Sequence, residues 1–188
     1  MKVTAKEISY VSMFTGLTAI GAFVSIPLGE VPISLQTLFV LLSGLVLGPR
    51  LGFLSQLAYL LLGLVGLPIF TGFTGGPQAI LRPSFGFIIG FMVAALIVGK
   101  ISHLNGRIDP ARIWISSIVG TVIIYLFGLP YMYYILNTMM ARGLSFGAVF
   151  KMACLLFLPG DIVKLIIASL VAIRFIPIIG KSGGLGRA

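Results

Sequence analysis

The residues best suited to chemistry are an acid and a base in the stretch LPGDIVK, residues 158–164. Pro159 and Gly160 interrupt a helix here, which makes Asp161 a natural N-cap for the helix that follows. Lys164 lies three residues later on the same helix face. Charges in a spanning helix usually face the protein interior or a cavity, so the pair predicts a polar clamp at the mouth of a ligand pocket. The alternative is that Asp161 only caps the helix and Lys164 pairs with it or extends outward.

Other polar side chains also lie in apolar surroundings. Gln36, in VPISLQTLF, carries an amide that both donates and accepts hydrogen bonds, which suits a polar ring around a ligand. A hydrogen bond between helices explains this residue equally well. Tyr59 and the four tyrosines of residues 125–134 are typical of the interfacial belts of membrane proteins.

A long loop, residues 66–87, reads GLPIFTGFTGGPQAILRPSFGF and contains five glycines, three prolines and one charge, Arg82. A plain connection would be short, so this loop is expected to have a shape of its own. Phe70, Phe73 and Phe85, in or beside this loop, predict an apolar lid, and packing of the loop onto its own helices is the alternative. Gly75 and Gly76 lack a following Lys-Ser/Thr, so they do not form a phosphate-binding loop.

Enzymatic catalysis is poorly supported by the sequence. The chain has four acidic residues, one histidine and one cysteine, without metal-ligand spacing, so we expect neither an enzyme nor a metal site. It contains no nucleotide-binding motif, so we expect no cofactor and no ATP hydrolysis by this chain alone. His103 is expected to be a solvated loop residue, and Cys154 a small buried apolar one.

The chain is too apolar to cover the surface of a soluble domain. Of its 188 residues, 59% are hydrophobic and 9% are charged, and the mean hydropathy is +1.16. A soluble domain has about 25% charged residues. Lipid requires that backbone polar groups be satisfied within the protein, and these runs lack the alternation of a barrel. The sequence therefore predicts an all-α, multi-pass protein of a bacterial-type cell membrane, with a single domain over residues 1–188.

Six apolar runs predict six transmembrane helices. Pro27 ends the first run, GPR at residues 48–50 forms a tight turn after the second, and a short amphipathic helix precedes the last. The first run has a small-residue face, Thr15, Ala19 and Ala22, that allows close approach of another helix, either of this chain or of a partner. The predicted spans are residues 8–26, 34–47, 51–65, 85–98, 113–136 and 161–179.

The net charge of +9 is interpreted as a topology signal, not as a sign of nucleic-acid binding. Six spans place both termini on one side of the membrane. The basic residues on that side are Lys2, Lys6, Arg50, Lys100, Arg107, Arg112, Arg174, Lys181 and Arg187; those on the other side are Arg82, Arg142 and Lys151. The positive-inside rule therefore predicts cytoplasmic termini and an extracytoplasmic long loop.

Several motifs together resemble the BioY family, the biotin-specific S components of energy-coupling factor (ECF) transporters. They are VPISLQTLFVLLSGLVLGPRLGFLSQLAYLLLGLVGLPIF, GFTGGPQAILRPSFGFIIGF and FLPGDIVK, and the resemblance covers about residues 4–176. At residues 83–87 the chain reads PSFGF where the family usually has PTGGY. The resemblance implies a six-helix ECF S-component fold and capture of biotin from the extracellular side. It also implies coupling to a transmembrane T protein and two ATPase subunits.

The resemblance further implies which residues bind biotin. The long loop becomes a lid over an outward-facing pocket, with glycines that let backbone amides approach the ligand. Asp161 is the best acceptor for the ureido N–H groups, Lys164 serves the ureido carbonyl or the carboxylate, and Gln36 serves either end of the ureido group. The remaining predicted contacts are Arg82 or the amides of Gly75 and Gly76 for the carboxylate, together with Tyr59 and Phe73.

On the same resemblance, the face formed by Thr15, Ala19 and Ala22 is predicted to dock the T protein. Three other functions compete with this reading: an S component for another vitamin, a stand-alone channel or facilitator, and a membrane-embedded enzyme. A channel should show a continuous polar stripe through several helices, whereas the polar groups here lie mainly at the outer ends. The scarcity of acid–base residues argues against an enzyme.

Overall fold

The computed structural model describes residues 4–27, 29–104 and 109–181, the last range with side chains as far as residue 177. The helices are α1 (Ala5–Phe23), α2 (Gln36–Val65), α3 (Phe85–Ser102), α4 (Pro110–Tyr134), α5 (Phe146–Phe150) and α6 (Leu158–Lys181). Two short strands, β1 (Ser25–Ile26) and β2 (Ile33–Ser34), pair antiparallel between α1 and α2. Four basic side chains used in the topology prediction lie outside this description: Lys2, Arg107, Lys181 and Arg187.

Helix α2 reverses direction at Gly48 and so consists of two antiparallel arms, residues 36–47 and residues 49–65. Gly48 has φ 78° and ψ −177°, a conformation that only glycine adopts readily. Gln56 Nε2 donates a hydrogen bond to Ser43 Oγ at 3.1 Å. In a straight helix these residues would lie about 20 Å apart, given a rise of about 1.5 Å per residue. The predicted turn between the second and third spans is therefore confirmed.

Six helical segments form the bundle: α1, the two arms of α2, α3, α4 and α6. Within the described residues, three helices are long and apolar enough to cross a membrane: Gln36–Val65, Phe85–Ser102 and Pro110–Met139. The bent pair Phe146–Leu155 and Leu158–Pro177 meets at 45° and gives a fourth candidate span. The predicted all-α fold with six helical segments is confirmed. The first arm of α2 is about 18 Å long, which is shorter than the hydrocarbon core of about 30 Å.

Close packing joins α3 to the turn of α2 at the end of the bundle opposite the long loop. A Cβ on Gly99 would come within 2.6 Å of Pro49 Cα, so only glycine permits this approach. A hydrogen bond of 2.8 Å between His103 Nε2 and Leu45 O fixes the end of α3 on the same turn. The expectation of a solvated His103 was wrong, because its ring is half-buried and bonded to α2.

Helix α6 begins earlier than predicted. The sequence predicted Asp161 as the N-cap, but α6 starts at Leu158, and Asp161 N donates to Phe157 O at 2.9 Å. Pro159 is tolerated because the first turn of a helix offers no intrahelical partner for the N–H that proline lacks. Asp161 therefore lies within the first turn, and its carboxylate does not cap the helix.

The loop between α2 and α3 packs onto the end of α2. Phe70 is 3% exposed, and its ring fills the space where a Cβ on Gly63 would lie. Gly76 N donates to Gly63 O at 2.7 Å. Phe73, by contrast, is 67% exposed and stacks on Phe23 of α1 with ring centroids 4.6 Å apart. The loop is thus anchored at the end of α2 and reaches across to α1.

Candidate ligand-binding site

A cavity lies beneath the long loop, between β2, the start of α2, α3, α4 and the first turns of α6. Its polar lining is Ser34, Gln36, Thr37, Thr71, Ser84, Thr121, Tyr125, Asp161 and Lys164; its apolar lining is Val31, Pro32, Phe87, Ile88, Phe91, Ile124 and Phe157. The cavity has a volume of about 60 Å³, well below the roughly 300–1,000 Å³ of small-molecule sites, so its walls are close together in this structure.

An ion pair forms the centre of the polar lining. Lys164 Nζ and Asp161 Oδ1 are 2.5 Å apart, and the two side chains are only 7% and 8% exposed. Tyr125 OH donates from α4 to Asp161 Oδ2, and Lys164 Nζ donates to Ser34 O at 2.9 Å. The structure therefore shows the pairing of Lys164 with Asp161 that the alternative interpretation described. Both residues also line the cavity, as the clamp prediction requires.

The ion pair keeps hydrogen-bonding capacity for a ligand. A carboxylate accepts about four hydrogen bonds, and an ammonium donates three. Asp161 accepts one from Tyr125 and one from Lys164, while Lys164 donates to Asp161 and to Ser34. Among the residues that the structure describes, no further partner takes up the third ammonium N–H or the remaining lone pairs of the two carboxylate oxygens. The pair can therefore bind a molecule that offers both donors and acceptors.

Gln36 lines the cavity and is held from behind by Tyr59. Gln36 Nε2 donates to Tyr59 OH at 2.7 Å, and Gln36 Oε1 accepts from Ser34 Oγ at 3.0 Å. Tyr59 OH in turn donates to Ile69 O of the long loop at 3.0 Å. Tyr59 is fully buried and is not part of the cavity lining. It supports Gln36 and the loop, and its position outside the lining does not fit the direct ligand contact that we predicted.

A wider vestibule adjoins the cavity on the side of the long loop. Arg82, Phe73 and Phe23 contribute to its walls. It shares with the cavity the residues Pro32, Thr71 and Ser84. Arg82 is exposed, and its guanidinium therefore lies at the approach to the cavity and not in the polar lining. Phe73 lies in the same region, and its role as a lid residue stays a prediction.

Gly75 and Gly76 do not line the cavity. The Gly76 amide is already bonded to Gly63 O, and a Cβ on Gly75 would lie 2.8 Å from Leu67 C. The absence of a side chain at Gly75 lets the loop pack against the end of α2, and Gly76 has a positive φ of 92° that favours glycine. The predicted role of these amides in ligand binding does not fit this arrangement.

The predicted docking residues Thr15, Ala19 and Ala22 are buried within the chain. Thr15 Oγ1 donates to Ser55 O of the second α2 arm at 2.9 Å, and Ala22 is 0% exposed. Their small side chains let α1 approach that arm closely. Thr15 and Ala19 also border an open groove together with the exposed Gly16. Among the described residues beyond its own helix backbone and chain neighbours, nothing lies within 4 Å of a Cβ on Gly16, so the face is accessible at this edge.

Sequence reasoning missed Tyr125 as a site residue. It was assigned to an interfacial belt, whereas its hydroxyl bonds to Asp161 inside the bundle. The available signal was its position near the middle of the apolar run of residues 113–136, because belt residues lie near the ends of spans. Thr37 and Thr121 also line the cavity. Small hydroxyl residues at such positions are indistinguishable in sequence from those used for helix packing.

Comparison with known proteins identifies the family, because the model of the BioY family matches residues 1–181. The chain belongs to the BioY family. It is 42% identical over 170 residues to the probable biotin transporter BioY of Pyrococcus horikoshii, with 90% of this chain and 96% of that protein covered. It is 35% identical over 169 residues to the biotin transporter BioY of Thermotoga maritima, with 90% and 95% covered.

A solved structure shares the BioY fold. The S-component for biotin from an ECF-type ABC transporter matches with a TM-score of 0.79 and 27% identity, covering 98% of this chain and 97% of that chain. The predicted ECF S-component fold is therefore confirmed. Membership of the BioY family also confirms a multi-pass cell-membrane transport protein that is not an enzyme, and the family indicates no cofactor.

The buried ion pair generates a prediction about stability. Asp161→Asn leaves the Lys164 ammonium without its counter-charge, so we expect the free energy of unfolding to fall by about 3 kcal/mol. Combining Asp161→Asn with Lys164→Met removes the uncompensated charge and should be less destabilising than the sum of the two single changes. Thermal unfolding in detergent of the wild type, both single variants and the double variant measures this coupling. Strictly additive losses would contradict it.

Proposed function

We propose that this BioY protein is the biotin-binding S component of an ECF transporter and captures biotin for uptake. The names of its BioY relatives support the ligand, and the likeness to a solved biotin S component supports the type of transporter. The observation that carries the proposal is the cavity. In it, an ion pair with unused donors and acceptors lies beside the apolar side chains of α3.

Biotin presents the groups that this lining can satisfy. Its ureido ring offers N–H donors and a carbonyl acceptor, and its thioether ring and aliphatic tail are apolar. The unused lone pairs of Asp161 suit the ureido N–H groups, and the remaining N–H of Lys164 suits the carbonyl, both as charge-assisted hydrogen bonds. Phe87 and Phe91 supply apolar contacts for the sulfur ring and the tail.

The carboxylate of biotin then points toward the vestibule, where Arg82 is exposed. A guanidinium matches the planar geometry of a carboxylate, and binding there requires less desolvation than in the closed cavity. The enclosed volume of about 60 Å³ is too small for the whole ligand. Binding therefore requires the long loop to move outward, separating the stacked rings of Phe73 and Phe23.

We further propose that the cavity opens to the extracellular side and that both termini are cytoplasmic. The positive-inside rule supports this orientation. Among the described basic residues outside the ion pair, those at the cavity end are Arg82, Arg142 and Lys151; those at the opposite end are Lys6, Arg50, Lys100, Arg112 and Arg174. Energy would then come from partners in the cytoplasm and membrane, namely a transmembrane T protein and two ATPase subunits.

Titration of the detergent-purified chain with biotin tests the ligand assignment. We expect a dissociation constant in the nanomolar range, which corresponds to roughly −12 kcal/mol. Thiamine and riboflavin serve as controls for an S component of another vitamin. Tight binding of either control, with micromolar or undetectable binding of biotin, would reject the assignment.

The same titration tests the roles of the ion pair. We expect Asp161→Asn and Lys164→Gln each to weaken biotin binding by about 2 kcal/mol, roughly 30-fold, because each loses a charge-assisted hydrogen bond. Asp109→Asn and Arg112→Gln are matched controls, since that pair has the same spacing but is solvent-accessible and 3.8 Å apart. The controls should bind as the wild type does. Unchanged affinity in both site variants would mean that the pair only stabilises the fold.

A comparison of biotin with biotin amide tests the orientation of the ligand. The amide lacks the negative charge, so Arg82→Gln should weaken the binding of biotin severalfold and leave the binding of the amide nearly unchanged. Lys151→Gln removes another exposed charge from the same end of the molecule and should affect neither ligand. If Arg82→Gln weakens both ligands equally, the carboxylate does not meet this side chain.

A bulky residue on α1 tests the docking of the T protein, which we place at the exposed Gly16, beside the buried Thr15 and Ala19. Gly16→Trp should abolish ATP-dependent transport in a reconstituted complex but preserve biotin affinity of the isolated chain, because a Cβ there has open space. Ala22→Trp is the reference for internal packing and should destabilise the isolated chain, since Ala22 is fully buried. Normal transport by Gly16→Trp would place the partner elsewhere.

A further inference from the structure

We propose that an open groove at the end opposite the biotin cavity binds an anionic phospholipid. The groove lies between the turn of α2 and the last turns of α3. It is lined by Pro49, Arg50, Phe53, Leu54, Leu96 and Lys100. Its composition is two cations above an otherwise apolar floor, which matches a molecule that has an anionic head and a hydrocarbon tail.

The packing of α3 on α2 brings the two cations together. Pro49 and Gly99 are in direct contact across the helices, with only 2.6 Å between Pro49 Cα and the position of a Cβ on Gly99. Arg50 follows Pro49 and Lys100 follows Gly99, so each basic side chain starts beside that contact. The two cations therefore flank one groove because the backbones beneath them are held together.

No carboxylate side chain among the described residues forms a salt bridge with either cation, and Glu7 interacts with Arg50 only at longer range. The chain has four acidic residues, and all four are within the described residues. Three form ion pairs elsewhere, and Glu7 accepts hydrogen bonds from Thr4 at 2.8 and 3.0 Å. The three pairs are Asp161 with Lys164, Glu30 with Arg142, and Asp109 with Arg112. A phosphodiester in the groove would supply the missing negative charge.

The floor of the groove favours a lipid over a soluble anion. Phe53 and Leu54 lie on the second arm of α2, Leu96 lies on α3, and all three are half-buried. Both helices are apolar enough to cross a membrane, so this floor faces the region of the acyl chains. A small anion would contact the cations alone, whereas a phospholipid also covers the apolar floor. Basic pockets between spanning helices at the cytoplasmic side are suited to acidic lipid head groups.

Lipid titration of the full chain in detergent, read out by native mass spectrometry, tests this proposal. The wild type should retain phosphatidylglycerol much more strongly than phosphatidylcholine. Combining Arg50→Gln with Lys100→Gln should lower the affinity for phosphatidylglycerol roughly 30-fold, because each basic side chain near an anionic lipid contributes about a five-fold factor. Leu96→Ser should also weaken the binding of phosphatidylglycerol. Glycerol phosphate, which has the anionic head but no acyl chains, should not compete with phosphatidylglycerol for the groove.

The matched control combines Lys6→Gln with Arg174→Gln, which removes the same charge from exposed positions at the same end but outside the groove. It should keep the wild-type affinity, and circular dichroism should show equal helix content in all variants. Equal losses in both double variants, or no preference of the wild type for phosphatidylglycerol, would overturn the proposal. If the groove variant Arg50→Gln with Lys100→Gln binds lipid as the wild type does but no longer assembles with the T protein, the groove belongs to a protein partner. That result would also overturn the lipid proposal.

Discussion

The ion pair of Asp161 and Lys164 is the constraint on which the cavity end of the molecule depends. Two charges in a membrane-spanning helix are costly unless other protein groups solvate them. Tyr125 of α4 supplies a hydroxyl donor, and the Ser34 carbonyl of β2 supplies an acceptor. These contacts draw α4, α6 and the short strands around one polar centre. The ligand cavity is the space that remains beside it, bounded by the apolar side of α3.

The two ends of the bundle follow different packing rules. At the end opposite the cavity, Gly99 lets α3 lie directly on the α2 turn, and His103 bonds to Leu45 across the same contact. At the cavity end, the chain uses irregular backbone: two strands of two residues, the long loop, and the π-helical turns Ile135–Met139 and Lys151–Leu155. Close packing at one end fixes the helices, so the segments at the other end can be shaped around a ligand.

Features that depend on local pattern were predictable from the sequence, and features decided by distant contacts were not. Apolar runs defined the six helical segments, and two charges within the last run located the polar centre. Pro-Gly-Asp has the local pattern of a helix start, yet α6 starts at Leu158 and the backbone N–H of Asp161 already bonds to Phe157 O. The partner of Tyr125 is 36 residues away, and the packing of Gly75 and Gly76 is set by the end of α2. No local pattern contains that information.

A chain of hydrogen bonds connects the polar lining of the cavity to the long loop. Tyr59 OH accepts from Gln36 Nε2 and donates to Ile69 O. If the loop moves outward at Ile69, the buried hydroxyl loses its acceptor, which costs about 1–3 kcal/mol. If a ligand bonds to Gln36, as predicted above, it would hold the amide in the orientation that donates to Tyr59, and Tyr59 would then direct its own proton to Ile69. On that prediction, ligand binding and loop closure would favour each other through Tyr59, although this residue is not part of the cavity lining.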